Sequence, residues 1–205
     1  AWIQNNINYL SIKASLSSGW AGHPASETLK NGYGDCTDVA VLFSSLCRAV
    51  GVDAYPAIVK TNDHGAMLTE IPVPDANHAI TLVYPNGQPR FLDATAQDYR
   101  YPYFRSDDHG IKAVIYIKEE IMDVPLPAPE DNMRESDQDL TLTPDGAAMI
   151  IERNVYTGPY EAGVRGYWRS VPPEMRARVM AQYLQRRVPG AALDDFKLGE
   201  LENLD

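Results

Sequence analysis

The architecture follows from residues 32–52, which read GYGDCTDVAVLFSSLCRAVGV. Apolar residues recur there with helical spacing, and polar residues occupy only a narrow strip. Asp35 is a favoured N-cap residue, so a helix is predicted from Cys36 to about Val50, and Gly51 is suited to end it. Because this helix is apolar around most of its circumference, we expect it to be buried among other elements.

The first residue of the predicted helix is a cysteine. Unpaired backbone N–H groups and the helix dipole favour a thiolate at this point, and helix N-termini are among the sites where the pKa of cysteine falls. Asp35 and Asp38 oppose this effect, so a thiolate would need a cationic partner. Cys36 could instead be a small buried hydrophobe, as many cysteines are. The loop, cap and helix around it favour the nucleophile.

Composition and charge bound the function. The chain has 205 residues, 44% of them hydrophobic and 22% charged, which is typical of a globular protein with one full core and a small second unit. The net charge of −10 argues against nucleic acid and anionic membranes as partners. No stretch resembles a transmembrane span or a signal peptide. Since the chain starts with Ala-Trp, we expect a processed or excised piece.

The two cysteines are not expected to form a disulfide. Cys36 and Cys47 lie on one predicted helix, where a rise of ~1.5 Å per residue separates them by roughly 16 Å. A disulfide needs Cα atoms within about 7 Å. Cys47 has apolar neighbours and is interpreted as a core residue, and the redox compartment stays open.

The other elements of residues 1–124 are short helices and strands. A short helix running into a strand is predicted in residues 1–17, a loop in 17–24, a helix in 25–30, strands in 54–60, 77–84, 91–95 and 111–118, and a long loop in 61–75. One central helix followed by antiparallel strands indicates an α+β domain.

A second region is predicted after residue 124. Residues 125–139 are rich in proline and acidic residues, which is typical of a linker. Residues 140–205 predict two strands joined by a turn at 144–146, then an amphipathic helix over 172–187. Such a short segment is marginal for an independent core, so we interpret it as the start of a β-rich C-terminal domain that is cut short.

A predicted hairpin brings a histidine and an aspartate together. With a two-residue turn at Asn86-Gly87, His78 shares one sheet face with Asp93 as a diagonal neighbour. A slip of one residue would put the two on opposite faces. A carboxylate beside an imidazole orients the ring and stabilises its charged form. The alternative is an exposed polar pair on an edge hairpin.

Cys36, His78 and Asp93 together suit nucleophilic catalysis. The imidazolium of His78 would stabilise the Cys36 thiolate, and neutral imidazole would later act as a general base. Asp93 would orient the ring of His78.

These residues carry a family resemblance. The stretch beginning GYGDCTDVAVLF, followed by NHAITLVY and FLDAT, resembles the transglutaminase-like cysteine-peptidase superfamily over roughly residues 1–118. It looks closest to bacterial multidomain proteins that carry this core between two β-sandwich regions. HPASETLKNGYGDC and DDHGIKA also fit their pattern, and residues 140–205 are similar to the start of their C-terminal region.

The resemblance implies a papain-like core in which a central helix packs on an antiparallel sheet, with Cys36 as nucleophile, His78 as base and Asp93 as orienting residue. It implies a thioester acyl-enzyme on a peptide or protein substrate, without a cofactor. Water as acceptor gives peptidase or amidase activity, and an amine gives crosslinking. It also implies a bacterial envelope or secreted location.

The oxyanion would be bound by the backbone N–H of Cys36 and an upstream side-chain donor. Gln4, Tyr9 and Trp20 are candidates between which spacing does not decide.

Other chemistry-bearing residues do not form a second site pattern. Metal-ligand spacing is missing, so no metal site is predicted for the loop residues His23, His64, His109, Asp63, Asp107 and Asp108. No phosphate-loop lysine follows Gly34. Trp20, Trp168 and the aromatic run 99–104 could line a cleft or pack in the core, and packing is favoured.

The alternative function is a non-catalytic module that keeps this fold and uses the cleft to bind a peptide or protein partner. The presence of all three reactive residue types favours the enzyme. The oligomeric state is not predicted.

Overall fold

The central helix begins and ends where the sequence predicts. In the computed structural model it spans Cys36–Ala49 (α3). The side chain of Asp35 accepts hydrogen bonds from the backbone N–H groups of Thr37 and Asp38, and that of Asp38 accepts one from the backbone of Asp35. This capping box satisfies N–H groups that a helix N-terminus otherwise leaves unpaired.

The structure describes residues 1–11, 21–70 and 75–204. The part of the predicted helix and strand of residues 1–17 that follows residue 11 lies outside this range, as do Trp20 and parts of the predicted loops at 17–24 and 61–75. The other helices are Trp2–Asn6 (α1), Ala25–Asn31 (α2), Gly158–Ser170 (α4) and Pro173–Arg187 (α5). The strands are Asn8–Tyr9 (β1), Tyr33–Gly34 (β2), Ala54–Val59 (β3), His78–Val83 (β4), Arg90–Leu92 (β5), Lys112–Ile115 (β6), Glu120–Asp123 (β7), Arg134–Leu142 (β8) and Ala148–Tyr156 (β9).

Five strands form one antiparallel sheet in the order β5-β4-β3-β6-β7. Helix α3 packs on β3 and β4, where Ala40 of the helix meets Ile58 and Ala79. Side chains of the alternate strand positions point to the other face and form the main core. That core contains Ala57, Val59, Ile80, Leu82, Phe91, Phe104, Ile111, Ala113, Ile115 and Val124. The predicted α+β class, with a central helix on an antiparallel sheet, is confirmed.

The predicted hairpin register is also confirmed. Thr81 pairs with Leu92 and Val83 with Arg90, as a turn at 86–87 requires. Asn86 and Gly87 have φ values of 55° and 76°, the left-handed conformation that such a turn needs. The returning strand is shorter than predicted, since it ends at Leu92. Its continuation instead forms a local turn, in which the Thr95 backbone donates to the Asp93 side chain.

Three features after residue 118 differ from the prediction. Strand β7 was not predicted and pairs with β6. Strand β8 begins at Arg134, inside the segment interpreted as a linker. Helix α4 was not predicted, because its three glycines disfavour a helix in isolation. The division into domains remains a prediction.

Contacts with the C-terminal segment compensate for the weak helix propensity of α4. Arg165 is buried and donates to the backbone carbonyls of Glu200, Leu201 and Asn203 at 3.1, 2.5 and 3.0 Å. Trp168 is buried against Phe196, with ring centroids 5.0 Å apart. Trp168 therefore packs in the interior. Tertiary contacts thus override propensity here.

The predicted amphipathic helix is observed as α5, yet none of its residues is buried. Within the described ranges, no helix combines the length and the apolarity needed to span a bilayer.

Gly34 allows the turn before Cys36 to approach α3, and its substitution tests this constraint. A Cβ at position 34 would lie 2.6 Å from the Cβ of Asp38. We therefore expect Gly34→Ala to lower the free energy of unfolding by about 1–3 kcal/mol in urea denaturation. Gly163→Ala in α4 is the matched control, because a Cβ there meets no atom within 4 Å, and it should be neutral or stabilising. Equal effects of the two substitutions would contradict the steric explanation.

Candidate active site

One end of the sheet brings the predicted site residues together. His78 is the first residue of β4, and Asp93 directly follows the last residue of β5. Because these strands are antiparallel neighbours, both residues lie at the same end. Helix α3 also starts there, since Cys36 packs with Ile58 and Ala79. The side chains of Cys36, His78 and Asp93 are buried, with residue exposures of 2%, 6% and 5%.

The carboxylate of Asp93 is held between His78 and Thr95. Its Oδ2 lies 3.2 Å from Nε2 of His78, and its Oδ1 accepts from the backbone N–H and hydroxyl of Thr95 at 2.8 and 2.7 Å. Burial alone would raise the pKa of Asp93, but these hydrogen bonds outweigh burial and lower it. Asp93 is therefore an ionised acceptor in a fixed orientation.

His78 is held in its charged form by its two neighbours. Burial by itself lowers the pKa of His78, but hydrogen bonds to Asp93 and to Cys36 outweigh it and raise the pKa to about 10. Because Nε2 faces Asp93, the ring nitrogen left for Cys36 is Nδ1. A ring bonded on one side to a carboxylate and on the other to a thiol can exchange a proton with sulfur without turning.

The acidic residues beside Cys36 accept hydrogen bonds from backbone groups and from a histidine. Asp35 caps α3, and Asp38 accepts from the backbone N–H and from Nδ1 of His23 at 2.7 and 3.0 Å. The hydrogen bond from Asp38 raises the pKa of His23. The opposition of these carboxylates to a thiolate is thereby reduced, because each is already neutralised in part by hydrogen-bond donors.

The structure distinguishes between two of the three side chains that were candidates for binding the oxyanion. The side-chain amide of Gln4 donates to the carbonyls of Ala96 and Tyr99 at 2.7 and 2.8 Å, so it holds the loop after β5. Tyr9 packs beside Cys36 in the cluster with Ala40, Ile58 and Ala79. Burial is the main reason why the pKa of Tyr9 is raised, and the charges of Cys36 and Asp93 add to this effect. A hydrogen bond from Ser11 lowers the pKa but does not outweigh them. Trp20 lies outside the described residues.

A second carboxyl group lies at this site and was considered from the sequence only as a metal ligand. Asp108 has no exposed surface, and its Oδ2 lies 3.9 Å from Nε2 of His78. Within the described part of the chain, neither oxygen of Asp108 has a hydrogen-bond partner. Burial is the main reason why the pKa of Asp108 rises to about 7. No local signal distinguishes Asp108 from Asp107, because its position depends on how the loop before β6 returns to the sheet.

The loop histidines do not converge with the other metal candidates in the described structure. His64 contacts its neighbour Asp63 at 3.0 Å, and Nδ1 of His109 lies 2.9 Å from the Pro125 carbonyl. Among described residues, the ligand atoms of His78, Asp93 and Asp108 do lie within 4.8 Å of one another. A cation there would have to displace the hydrogen bond between His78 and Asp93, so we interpret this group as an acid–base cluster.

The second cysteine lies in a cavity that Asp93 also lines. Cys47 lines a cavity of about 620 Å³, together with residues of α1 and the tyrosines at 99, 101 and 103. Burial raises the pKa of the Cys47 thiol. The two cysteines are not joined by a disulfide, as predicted. The aromatic run 99–104 therefore contributes both to this cavity and, through Phe104, to the core.

Comparison with known proteins finds a family model that is similar to the N-terminal part of the chain. Residues 1–95 match the family model described as the transglutaminase-like superfamily. No curated protein matches the chain.

Two solved structures are similar to the chain. A candidate cysteine protease from Cytophaga hutchinsonii is 28% identical, with 46% of this chain and 28% of that protein covered and a TM-score of 0.35. A candidate protease from Parabacteroides distasonis is 12% identical, with 79% and 46% covered and a TM-score of 0.47. The chain thus spans less than half the length of either protein. Both TM-scores are below 0.5, so the similarity to the transglutaminase-like superfamily rests on the match of residues 1–95 to the family model.

Asp93→Asn tests the electrostatics of this site. The substitution removes the charge and weakens the hydrogen bond that raise the pKa of His78, whereas burial continues to lower it. We expect the pKa of His78 to fall by about 1–3 units. The titration is followed by NMR of the imidazole C–H groups, with the His78 signal identified by its loss in His78→Asn. The signals of the other three histidines provide the internal reference. A His78 pKa that does not move in Asp93→Asn would contradict this account.

Proposed function

Because residues 1–95 match the model of the transglutaminase-like superfamily, we propose that this chain is a cysteine-dependent acyl-transfer enzyme that acts on amide bonds. The observation that supports the proposal most directly is the buried ring of His78, bonded to the Asp93 carboxylate at 3.2 Å and to the Cys36 thiol. Sulfur at a helix N-terminus, beside an oriented imidazolium, is the arrangement that generates a nucleophilic thiolate.

In the first half of the reaction, the Cys36 thiolate attacks the carbonyl carbon of the substrate amide. The carbon–sulfur bond forms, and the carbonyl electrons move to oxygen. His78 then gives its Nδ1 proton to the departing nitrogen as the carbon–nitrogen bond breaks. The products of this half are a free amine and a thioester on Cys36.

In the second half, neutral His78 takes a proton from water or from an acceptor amine. The acceptor attacks the thioester, the carbon–sulfur bond breaks, and the thiolate of Cys36 and the imidazolium of His78 are restored. Water yields a carboxylic acid, which is peptidase or amidase chemistry, and an amine yields a new amide, which is transglutaminase chemistry. Asp93 keeps its hydrogen bond to Nε2 throughout and stabilises each imidazolium state.

Tyr9 is the side-chain candidate for the oxyanion site. It packs against the buried cluster that contains Cys36, and because its oxygen accepts the hydrogen bond from Ser11, its O–H can still donate. The amide of Gln4 is instead committed to two loop carbonyls. The backbone N–H of Cys36, in the first turn of α3, would be the second donor. A phenol and a backbone N–H directed at the developing oxyanion would stabilise it more than the ground-state carbonyl.

We propose that this machinery belongs to a core domain of residues 1–124, followed by a linker at 125–139 and the start of a C-terminal domain at 140–205. Its substrate would be a peptide or a protein. A module that only binds a peptide would need neither the imidazolium nor the thiol.

Alkylation distinguishes a nucleophilic Cys36 from an inert one. We expect iodoacetamide to modify Cys36 roughly tenfold or more faster than Cys47 at pH 7, because an imidazolium stabilises only the first thiolate and burial raises the pKa of the second. Mass spectrometry of the two cysteine peptides measures both rates in one sample. Equal, slow labelling of both cysteines would favour the binding module.

Peptide probes that carry a thiol-reactive group test the reaction itself. We expect a library of such probes to label Cys36 with side-chain preferences, and Cys36→Ala to abolish both labelling and amide turnover. His78→Asn should retain the thiol but lose the labelling, which separates loss of sulfur from loss of the base. Turnover that survives in Cys36→Ala would locate the chemistry elsewhere.

Tyr9→Phe tests the oxyanion site without a known substrate. The sulfur of Cys36 adds to the carbonyl carbon of a peptide aldehyde, and the carbonyl oxygen becomes an oxyanion in the site. Alkylation by iodoacetamide forms no oxyanion. We expect Tyr9→Phe to weaken aldehyde binding roughly 10- to 100-fold and to leave the alkylation rate unchanged. Tyr33→Phe, at a half-exposed tyrosine of β2, is the control. A parallel loss of both reactions would indicate a structural role for Tyr9.

A further inference from the structure

The carboxyl group of Asp108 is not used by the mechanism above, although it belongs to the same buried cluster. It has no exposed surface, and its Oδ2 lies 3.9 Å from Nε2 of His78, the nitrogen that also faces Asp93. One oxygen of each carboxyl and the His78 nitrogen fall within 4.8 Å of one another. His78 therefore has two carboxyl groups on one side of its ring and the thiol of Cys36 on the other.

A structural role does not explain Asp108. Neither of its oxygens has a hydrogen-bond partner in the described structure, so it organises no neighbouring backbone or side chain there. The adjacent cation does not neutralise it, because Arg105 pairs with Asp107 through two hydrogen bonds. A buried carboxyl without partners costs stability, and an apolar residue of similar size would avoid that cost. A charged group that lies near this carboxyl is the ring of His78.

We propose that Asp108 is a positioning residue that acts on His78 as a second carboxyl beside the ring. When Asp108 is ionised the ring of His78 binds its proton more tightly, and when Asp108 is protonated the ring binds it less tightly. The inference rests on the proposed function, in which His78 must keep its proton to pair with the Cys36 thiolate and release it to the departing amine. An ionised Asp108 stabilises the imidazolium of His78 together with Asp93. When Asp108 is protonated, Asp93 is the carboxylate that stabilises the imidazolium.

The groups facing Asp108 set the pH at which it changes state. Burial and the negative charges of Asp93 and Asp107 disfavour the ionised form of Asp108. The positive charges of His78 and Arg105 favour that form. The balance raises the pKa of Asp108 to about 7. The carboxyl thus changes charge in the range where a transfer enzyme operates, beside the group that carries the proton.

Asp108→Asn is the direct test, since it keeps the size of the side chain and removes its titration. The variant is made in a Cys47→Ser background so that iodoacetamide reports Cys36 alone, and a chelator is present so that no metal ion contributes. Two quantities are measured between pH 5 and 12, a range that extends beyond the pKa of His78. These are the pKa of His78 by NMR and the alkylation rate of Cys36. Neither measurement needs a substrate.

We expect Asp108→Asn to lower the pKa of His78 by about 1 unit or more, because an opposite charge at this distance raises it. In the parent protein the alkylation rate should show a step near pH 7, and the variant should lack it. Asp107→Asn is the matched control on the same loop. It should keep the step but move it to lower pH, since it removes a negative charge and releases Arg105 toward Asp108.

Asp108→Glu guards against a variant that fails to fold. It keeps a titrating carboxyl with a longer reach, so the step should remain but occur at a different pH. A step at the parent's pH in both Asp108 variants would show that another group titrates. That outcome would overturn the proposal.

The outcomes separate this inference from the proposed function. If Cys36 in the chain without any substitution reacts no faster than Cys47, the proposed enzyme fails, yet the NMR titration still shows whether Asp108 acts on His78. If Cys36 is reactive and Asp108→Asn changes neither the pKa of His78 nor the alkylation profile, the role of Asp108 is overturned and the enzyme stands.

Discussion

The site depends on a hydrogen bond made away from water, between Nε2 of His78 and the carboxylate of Asp93 at 3.2 Å. Both side chains are buried, so solvent does little to stabilise the charge of either. A buried imidazolium persists only if a fixed acceptor faces it, and Thr95 fixes that acceptor with its backbone and hydroxyl. The ring can then present its other nitrogen to the Cys36 sulfur without a competing orientation.

Packing decides that sulfur and imidazole meet at all. Helix α3 approaches the sheet closely because small residues lie at the contact, Ala40 on the helix and Ala79 on β4. Gly34 likewise allows the turn before α3 to lie close to the helix, since no side chain fits between position 34 and Asp38. The capping box then sets where the helix begins, so that its first residue lies at the end of the sheet where β4 starts. The position of the Cys36 sulfur is therefore a consequence of local capping and of close helix–sheet packing.

Charge in the site is balanced among more groups than three. Asp93 is ionised, Asp108 has a pKa near neutrality, and Asp35 and Asp38 are occupied by backbone donors. Two carboxyl groups beside one imidazole have unequal environments, because Asp93 accepts several hydrogen bonds and Asp108 accepts none in the described structure. Unequal environments push the pKa values of like groups apart, which is how a site gains both a permanent charge and a titratable one.

The start of α3 and the pairing of β4 with β5 were determined by the sequence alone, because each follows from a few adjacent residues. Asp35 caps the helix that Cys36 begins, and Asn86-Gly87 form the turn that puts His78 and Asp93 on one face. The place of Asp108 beside His78, the use of Gln4 as a loop anchor and the helix of α4 were decided only by the tertiary structure. Asp108 reaches His78, and Gln4 reaches the loop after β5, across long stretches of chain whose return path no local pattern specifies. Propensity argues against α4, and tertiary contacts such as those of the buried Arg165 and Trp168 outweigh it.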